Sequence, residues 1–598
     1  MDQFIPRHYR EITIGLTIGH DAAACLIADG RLLACIEEEK LCRKKGFIGF
    51  PVQAWNYLLT HYALLPEHIS HIAVGGKVYE ERAASELKYW MTGKKSDQYH
   101  NYFLRLLAWG GWIPSELRHP DHNRARCEKA LRAVLGCPAA QISWPGHHLC
   151  HAYSAAKAAP FVPQLTVTCD GKGDEDSFNF YLNDPDGTPV LIHSIGADHS
   201  IGQLYAVVTE WLGFRPNRHE GKVMGLAASG RPTPLTDALT GLFDRSTGEL
   251  RRFPFEPFVP DERLLSFQQR FRLKTAVSAH SRRYSLKSIA LKSWLDRHAG
   301  GYSRADVAYS VQQVTERVVL NEIQSVMERY LPAGGHLALA GGVFSNVVLN
   351  HKIKQLPHIG RVFVQPAMGD SGLALGAAFW AARVGYSFNH AYYGAEYQQD
   401  ISQYIHSISG LYNMSQPGDI AGAVADLLAA GNIVGVYHGA MEYGPRALGH
   451  RSILAAPFDR DINRVLNQRL DRSDFMPFAP SVLEEYAPVY LENFDNEDVM
   501  ADYMTTVYPV KAAWKDLLQA VVHVDGTCRP HIVKSSTDPY YHAVLSAFQQ
   551  KTGCGAVVNT SFNTHEEPIV STPEYALAAL AQGRIDFLCL YDYLIGKN

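Results

Sequence analysis

Residues 12–40 read ITIGLTIGHDAAACLIADGRLLACIEEEK, in which apolar strand patterns alternate with a glycine loop and a tight Asp-Gly turn. Asp-Gly between two such runs is a preferred hairpin turn. The same order returns at residues 165–190, LTVTCDGKGDEDSFNFYLNDPDGTPV, where an apolar strand, a glycine loop, a polar strand and a second Asp-Gly turn follow one another. Two such hairpins predict a duplicated α/β domain with a nucleotide or phosphate cleft between its halves.

Two histidines and two aspartates form a candidate metal site. His147 and His151 lie four residues apart in GHHLCHAYSAA, Asp170 follows in TVTCDGKGDEDS, and Asp370 lies in PAMGDSGLALGAA. Side chains at i and i+4 share a helix face, so both imidazoles can reach one ion and an aspartate at a strand end can complete the set. The mixed set with open positions suits catalytic Fe(II), and fits Mn or Zn as well. With 27 histidines a chance pair at this spacing is common, but the aspartates and their glycines favour the metal.

Length and composition limit the class of protein. The 598 residues exceed one ordinary core, which predicts two to four domains. The net charge of -4 offers no broad basic field, so we expect no nucleic-acid partner. The sequence shows neither a signal peptide nor a long apolar run, which predicts a cytoplasmic protein without a membrane partner. Ten cysteines occur without a CxxC pair and are expected to be reduced.

A glycine pair marks a candidate binding loop, and a later change in composition marks a domain boundary. Gly341 and Gly342 follow an apolar run in HLALAGGVFSNVVLN and precede a helix start, a pattern by which backbone amides approach adenosine or phosphate. Residues 386–418 are polar and aromatic without a clean period. We therefore predict two domains, residues 1–390 and 410–598.

The predicted second domain concentrates basic and small polar residues. Guanidinium groups in a glycine-bearing loop suit bidentate capture of phosphate or carboxylate, although solvated arginines are equally compatible with this segment alone. A buried strand that runs into small polar side chains places them where ligands of α/β sheets bind. The residues concerned are Arg446, His450 and Arg451 in MEYGPRALGHRS, His523 and Arg529 in HVDGTCRPHIV, and Asn559, Thr560, Ser561 and Asn563 in VVNTSFNT.

Ten motifs, spread over about 560 residues, resemble the O-carbamoyltransferases in content and order. This family includes the nodulation-factor, tobramycin, cephamycin and ansamycin carbamoyltransferases. The motifs are GHDAAACLI, GHHLCHAYSAA, CDGKGDEDS, HEGKVMGLAA, GGVFSNVVLN, MGDSGLALGAA, MEYGPRALGHRSILA, FMPFAPSVL, HVDGTCRPHIV and NTSFNTHEEPIVSTPEYAL. The resemblance implies an N-terminal domain of the actin and sugar-kinase type (ASKHA) followed by a YrdC-like domain.

The resemblance also implies a reaction at two sites. The YrdC-like domain converts carbamoyl phosphate and ATP, supplied with Mg, into carbamoyladenylate. The intermediate then moves to the N-terminal domain, where a hydroxyl of a small-molecule acceptor attacks it and AMP leaves. A mixed anhydride of this kind hydrolyses readily, so enclosure within one chain would protect it.

Matching motif by motif gives each predicted site residue a role. His147, His151 and Asp370 match the family's iron ligands, with Asp170 as a fourth, and His20 matches the histidine beside the reacting centre, where an imidazole can act as base. Arg446, Arg451 and Arg529 match catalytic positions that hold the phosphates and the carbamoyl group. The remaining predicted nucleotide- and carbamoyl-binding residues are Gly171, Gly173, Glu220, Lys222, Gly341, Gly342, Asn346, Arg472, His523, Asn559, Ser561 and Asn563.

One segment departs from a pattern found in part of the family. Where that subset has Lys, Glu and Arg, LDRSDFMPFAP has Leu470, Ser473 and Met476, and only Arg472 and the PFAP run remain. The effect on carbamoyl phosphate binding stays open, with Arg469 as a candidate replacement for the lysine.

Other functions remain open at this point. A sugar-kinase-type ATP-dependent kinase explains the hairpins, but it assigns no function to His147, His151 or the last 190 residues. A transferase of threonylcarbamoyl groups to tRNA uses both domain types but lacks a basic stripe. An iron-dependent binding ATPase is a third option. The acceptor is not specified, and we expect residues 80–120 and 255–300 to shape its pocket. The oligomeric state is open, with a homodimer among the options.

Overall fold

The structure is a computed structural model that describes residues 9–76, 128–129, 131–133, 135–243, 279–398, 401–472 and 478–597, with residues 279–286 described for the backbone only. Ser473 and Met476 lie outside the described residues, as do residues 80–120 and 255–278 of the predicted acceptor segments.

The first half of the first lobe is built on the strands that the opening motif predicts. The strands are β1 (Ile12–Thr17), β2 (Gly19–His20), β3 (Ala23–Ala28), β4 (Arg31–Glu37), β5 (Ile48–Gly49), β6 (His71–Gly75) and β7 (Gln141–Ser143). Asp29 and Gly30 join β3 to β4 with φ of 48° and 75°, the left-handed conformation that a two-residue hairpin turn requires. The main sheet has the order β4-β3-β1-β6-β7.

The second half repeats this sheet. Its strands are β8 (Leu165–Gly173), β9 (Asp176–Asn183), β10 (Pro189–Gly196), β11 (Gly335–Ala340) and β12 (Ile359–Val364), in the order β10-β9-β8-β11-β12. In each half the central strand pairs antiparallel with the strand of its hairpin and parallel with the strand that returns from a crossover. The predicted α/β class and the duplication are therefore confirmed, and the strand order is that of the actin and sugar-kinase type.

Helices cover both halves and carry part of the site. They are α1 (Glu38–Cys42), α2 (Val52–His61), α3 (His147–Ala156), α4 (Ile201–Trp211), α5 (Glu220–Ala227), α6 (Pro234–Thr240), α7 (Ala279–His298), α8 (Arg304–Tyr330), α9 (Val347–Lys354) and α10 (Gly372–Ala382). Helix α8 confirms the long apolar periodicity of residues 305–331. Helices α3 and α10 follow the last strand of each half and pack closely, since an ideal Cβ on Gly376 would lie 1.7 Å from the Cys150 carbonyl oxygen.

The second lobe, residues 401–597, folds around one eight-stranded sheet. Its strands are β13 (Asn413–Ser415), β14 (Val434–Tyr437), β15 (Arg451–Ala455), β16 (Ala479–Leu483), β17 (Tyr508–Pro509), β18 (Thr527–Cys528), β19 (His531–Val533), β20 (Ala556–Ser561), β21 (Phe587–Leu590) and β22 (Tyr593–Gly596). The sheet order is β13-β22-β21-β14-β15-β20-β16-β19, with β17 and β18 forming a separate pair.

The α-helices among the described residues of this lobe are α11 (Ile401–Ile408), α12 (Ile420–Ala429), α13 (Asp461–Arg469), α14 (Ala487–Tyr490), α15 (Pro539–Thr552) and α16 (Pro573–Ala581). Three isoleucines of α11 are buried in the core of the second lobe, ahead of the predicted start at residue 410. The predicted domain bounds of 1–390 and 410–598 stay a prediction. No helix within the described ranges is both long and apolar enough to cross a bilayer.

Candidate functional site

The four predicted metal ligands meet between the two halves of the first lobe. His147 and His151 lie on α3, Asp170 on β8, and Asp370 in the loop before α10, and their ligand atoms all lie within 4.8 Å of one another. Nε2 of His151 is 3.3 Å from Oδ2 of Asp170 and 3.7 Å from Oδ1 of Asp370. Nε2 of His147 is 3.7 Å from the same two oxygen atoms.

The donor set fits a divalent ion. Nε2 of His147 and of His151 is buried and has no hydrogen-bond partner among the described residues. Burial lowers the pKa of His147, but the charges of Asp370 and Asp170 outweigh it and raise the pKa to about 9. Burial raises the pKa of Asp170, while the imidazoles of His147 and His151, whose Nε2 atoms lie 3.7 Å and 3.3 Å from its Oδ2, bring it well below its usual value. Two imidazoles facing two carboxylates favour a positive charge at their centre.

The predicted glycines surround Asp170. The amide of Gly171 donates to Oδ1 over 2.6 Å, and the amide of Gly342 donates to Oδ2 over 3.2 Å. Gly341 has φ of 104°, and a Cβ there would lie 2.2 Å from the Cys169 carbonyl oxygen. A Cβ on Gly173 would lie 2.3 Å from Cδ2 of His147. These glycines therefore orient the carboxylate and leave room for the imidazole.

His20 stands beside this cluster in a second group. Its Nδ1 lies 3.0 Å from Oδ2 of Asp21, and its Nε2 lies 3.2 Å from Nη2 of Arg218. Burial lowers the pKa of His20, but the hydrogen bond and charge of Asp21 and the charge of Asp370 raise it overall. Asp21 has φ of 51°, which turns the chain directly after His20.

A cavity of about 310 Å³ lies between the two lobes. Its lining residues come from both lobes and are mostly basic or amide side chains. The charged and imidazole residues among them are Lys45, Arg215, Arg218, His219 and Lys222 from the first lobe, and Arg446, Arg472, Arg529, His565 and Glu566 from the second. One acid against this many cations makes the cavity a site for anions.

Two arginines of the cavity are buried, and their guanidinium groups are not fully hydrogen-bonded. Nε of Arg446 and of Arg529 is buried and has no hydrogen-bond partner among the described residues. Burial lowers the pKa of Arg446 to about 10, and burial together with the charge of Arg446 lowers that of Arg529 well below its usual value. The predicted His523 lies near Arg529, outside the lining, and burial followed by the charge of Arg529 lowers its pKa to about 4. An anion bound between the two guanidiniums would offset their mutual repulsion and accept the unused hydrogen bonds.

Arg472 binds the end of β20. Its Nη1 donates to Oγ1 of Thr560 over 2.8 Å, and its Nη2 donates to Oγ of Ser561 over 3.0 Å and to Oδ1 of Asn563 over 3.1 Å. Asn559 donates from Nδ2 to the Ala447 carbonyl oxygen over 3.0 Å, and its buried Oδ1 has no partner among the described residues. The predicted polar strand end is therefore part of the cavity.

Other residues named in the sequence analysis also lie away from the cavity lining. Arg451 is fully buried, donates to the carbonyl oxygens of His438, Gly439 and His450, and covers the Tyr437 ring at 3.5 Å. Asn346 caps α9 and bonds to Gln312. Glu220 accepts from the Asn217 amide. Arg469 pairs with Asp586 over 2.7 Å, and its role as a replacement for the lysine of the family pattern stays a prediction.

Several cavity residues escaped the sequence prediction. Lys45, Arg215 and Arg218 line it, and Asp21 pairs with His20 and Arg218. Arg215 and Arg218 precede the motif HEGKVMGLAA by a few residues, and that proximity was the available signal. Lys45 had no signal, because only the packing of the lobes brings it to the cavity.

The chain matches the family model for the carbamoyltransferase N-terminus over residues 12–379 and that for the carbamoyltransferase C-terminus over residues 425–597. It belongs to the carbamoyltransferase family. The family makes the chain a transferase.

Similar proteins include a nodulation protein and a cephem O-carbamoyltransferase. The nodulation protein NolNO of Sinorhizobium fredii is 30% identical over 99% of this chain and 81% of its own length. An uncharacterised protein of Synechocystis sp. is 30% identical over 97% of this chain and 95% of its own length. The 3'-hydroxymethylcephem-O-carbamoyltransferase of Streptomyces clavuligerus is 32% identical over 46% of this chain and 51% of its own length.

Among solved structures, HypF of T. kodakarensis is 14% identical over 63% of this chain and 48% of its own, with a TM-score of 0.30. That score is too low to support a fold assignment, which rests on the strand order instead.

Proposed function

We propose that the protein is an ATP-dependent O-carbamoyltransferase that makes carbamoyladenylate from carbamoyl phosphate and ATP and passes the carbamoyl group to a hydroxyl of a small molecule. The observation that carries this proposal is the pair of incompletely hydrogen-bonded buried guanidiniums, Arg446 and Arg529, in an anion cavity of a carbamoyltransferase-family chain. A polyanionic substrate pair matches that surplus of positive charge.

The formation of carbamoyladenylate consumes one water molecule. Carbamoyl phosphate and water give carbamate and phosphate, and a carbamate oxygen then attacks the α-phosphorus of ATP and displaces pyrophosphate. Both parts move negative charge between oxygens, so fixed cations stabilise them. Mg bound to ATP would lower its net charge. Arg446, Arg472 and Arg529 would hold the phosphates and the carbamate, with Asn559 and Ser561 offering neutral hydrogen bonds.

Transfer takes place at the other site. The acceptor oxygen attacks the carbamoyl carbon, the bond from that carbon to the AMP oxygen breaks, and AMP leaves with the electron pair. His20 would take the hydroxyl proton at Nε2, because Asp21 lies at Nδ1 and fixes the ring. His147, His151, Asp170 and Asp370 would hold Fe(II), or alternatively Mn or Zn, which supplies Lewis-acid stabilisation of the developing charge.

The acceptor class follows from what the relatives are called. One relative is named for a hydroxymethylcephem, a small molecule with a hydroxyl group, and others are named for nodulation. We propose a hydroxylated natural product as the acceptor. Because carbamoyl phosphate and ATP are cytoplasmic metabolites, the proposed reaction belongs in the cytoplasm.

Nucleotide products test the proposal. Purified protein is incubated with ATP, Mg²⁺ and carbamoyl phosphate, and the products are separated by liquid chromatography. We expect AMP and pyrophosphate that depend on carbamoyl phosphate. ADP formed without carbamoyl phosphate, in the presence of a hydroxylated compound, would instead identify a kinase, and the absence of any turnover would identify a binding protein.

A further inference from the structure

Arg218 belongs to both sites. It lines the cavity between the lobes, and its Nη2 also contacts Nε2 of His20 at 3.2 Å and Oδ1 of Asp21 at 2.9 Å. Its side chain is 19% exposed, so it is largely enclosed by these contacts. No other residue of the described cavity lining makes a hydrogen bond to His20.

The contact with Arg218 fixes the protons of His20. A guanidinium only donates hydrogen bonds, so Nε2 of His20 must accept, and the ring proton then lies on Nδ1, facing Asp21. Nε2 is the atom that takes the acceptor proton in the proposed transfer. In the free protein Arg218 therefore covers the lone pair that the reaction needs.

The rest of the guanidinium is available to an anion. Within the described residues, Nε and Nη1 of Arg218 make no hydrogen bond, whereas Nη2 makes two. Gly46 allows this position, because a Cβ there would lie 2.1 Å from Nη2 and 2.6 Å from Nε of Arg218. Arginine binds phosphate with two parallel N–H groups, and phosphate is a stronger acceptor than a neutral imidazole.

We propose that Arg218 is a catalytic residue of carbamoyl transfer, which rests on the proposed function. Its guanidinium binds the phosphate of carbamoyladenylate and, in doing so, releases Nε2 of His20 to the acceptor. The acceptor proton passes to Nε2, the carbamoyl carbon forms its new bond to the acceptor oxygen, and the AMP oxygen leaves as an anion paired with Arg218. The base is thus uncovered when the activated carbamoyl group is present.

Separate measurement of the two steps tests this role without knowing the acceptor. Pyrophosphate release in a rapid-quench experiment reports adenylate formation. AMP release, with molar glycerol as a probe alcohol and water as the default acceptor, reports transfer. For Arg218→Gln we expect pyrophosphate release within about twofold of wild type and AMP release slower by about tenfold to a hundredfold. Arg231→Gln, which removes an exposed arginine from the same segment, should leave both rates unchanged.

Two further variants separate catalysis from structure. Gly46→Ala keeps the charge of Arg218 but displaces its guanidinium, and should slow AMP release in the same way. Arg218→Lys keeps the charge without the bidentate geometry and should restore AMP release only in part. Because Arg218 lowers the pKa of His20 while Asp21 and Asp370 raise it, the acidic limb of the AMP-release profile should move to higher pH in Arg218→Gln.

The outcomes are distinct. AMP release unchanged in Arg218→Gln, or pyrophosphate release lost to the same degree as AMP release, overturns the role of Arg218. Absence of carbamoyl-phosphate-dependent pyrophosphate release from the wild-type protein overturns the proposed function instead.

Discussion

Lys40 of the first lobe donates from Nζ to the carbonyl oxygen of Gly444 in the second lobe over 2.8 Å. It donates equally to the carbonyl oxygen of Glu442, and it forms an ion pair with Glu37, whose Oε2 accepts from the Gly444 amide over 3.0 Å. The side chains of Lys40 and Glu37 are only 6% and 9% exposed. A buried ion pair of the first lobe therefore forms hydrogen bonds with the backbone of the second lobe, two residues before Arg446.

Lys40→Met should impair the cavity as well as stability. It leaves the buried Glu37 without its cationic partner and the carbonyl oxygens of Glu442 and Gly444 without the Lys40 donor, which lowers the free energy of unfolding by about 3 kcal/mol. The loop before Arg446 loses its support, so we expect KM for carbamoyl phosphate to rise by about tenfold in the pyrophosphate-release assay.

Lys354→Met is the matched control for Lys40→Met. Lys354 also joins the lobes, through Asp498 at 3.0 Å, and that carboxylate is 1% exposed. The control should lose comparable stability in a thermal unfolding experiment and keep its KM. Equal KM values for both variants would show that the Lys40 contact only holds the lobes together.

Removal of a metal ligand should separate the two chemical steps. His151→Ala deletes a fully buried donor of the cluster, and we expect bound iron, measured by elemental analysis after loading, to fall by about a hundredfold or more. Pyrophosphate release should persist, because the cavity between the lobes is intact. Iron binding equal to that of wild type would contradict the assignment of the cluster.

Arg472 should contribute to substrate binding through its geometry. Arg472→Lys keeps the charge but cannot bridge Thr560, Ser561 and Asn563 together, so we expect KM for carbamoyl phosphate to rise by about tenfold. Arg469→Lys is the control, since Arg469 pairs with Asp586 instead. A rise that is equal in both variants would point to a general effect of altering this segment.

The stability of the second lobe should fall in mild acid. Burial lowers the pKa of His531 to about 3, against the opposing charge of Asp538. Between that value and the unfolded pKa of about 6.5 the unfolded chain binds the extra proton, so stability rises with pH up to about 6.5 and is lost as pH falls below it, by about 1.4 kcal/mol per unit. Urea unfolding at pH 7 and pH 5 should show a smaller loss for His531→Gln. An unchanged difference would mean that His531 does not titrate on unfolding.

The sequence predicted what is local and repeated. The hairpins, the helical spacing of His147 and His151, and the polar end of β20 all depend on neighbouring residues, and each occurs where it was expected. Asp370, which is distant in sequence from the other three, was assigned to the cluster from the resemblance to the carbamoyltransferases.

What the sequence could not predict depends on packing between distant segments. Lys45 reaches the cavity only because the lobes pack together, and no short motif marks it, whereas only the nearby motif HEGKVMGLAA hinted at Arg218. Arg451 fits the pattern of a phosphate-binding arginine, yet three backbone carbonyls enclose its guanidinium. The sequence shows that residue 451 is an arginine, but it does not show that the guanidinium binds backbone carbonyl oxygens.

The central claim is that one chain makes carbamoyladenylate at one site and uses it at another. The direct measurement is mass spectrometry of enzyme-bound nucleotides after incubation with ATP and ¹³C-carbamoyl phosphate, without an acceptor. Wild type and His151→Ala should both form ¹³C-carbamoyladenylate, and Arg529→Ala should not. Labelled adenylate absent from all three proteins, or ADP as the product, would contradict the account.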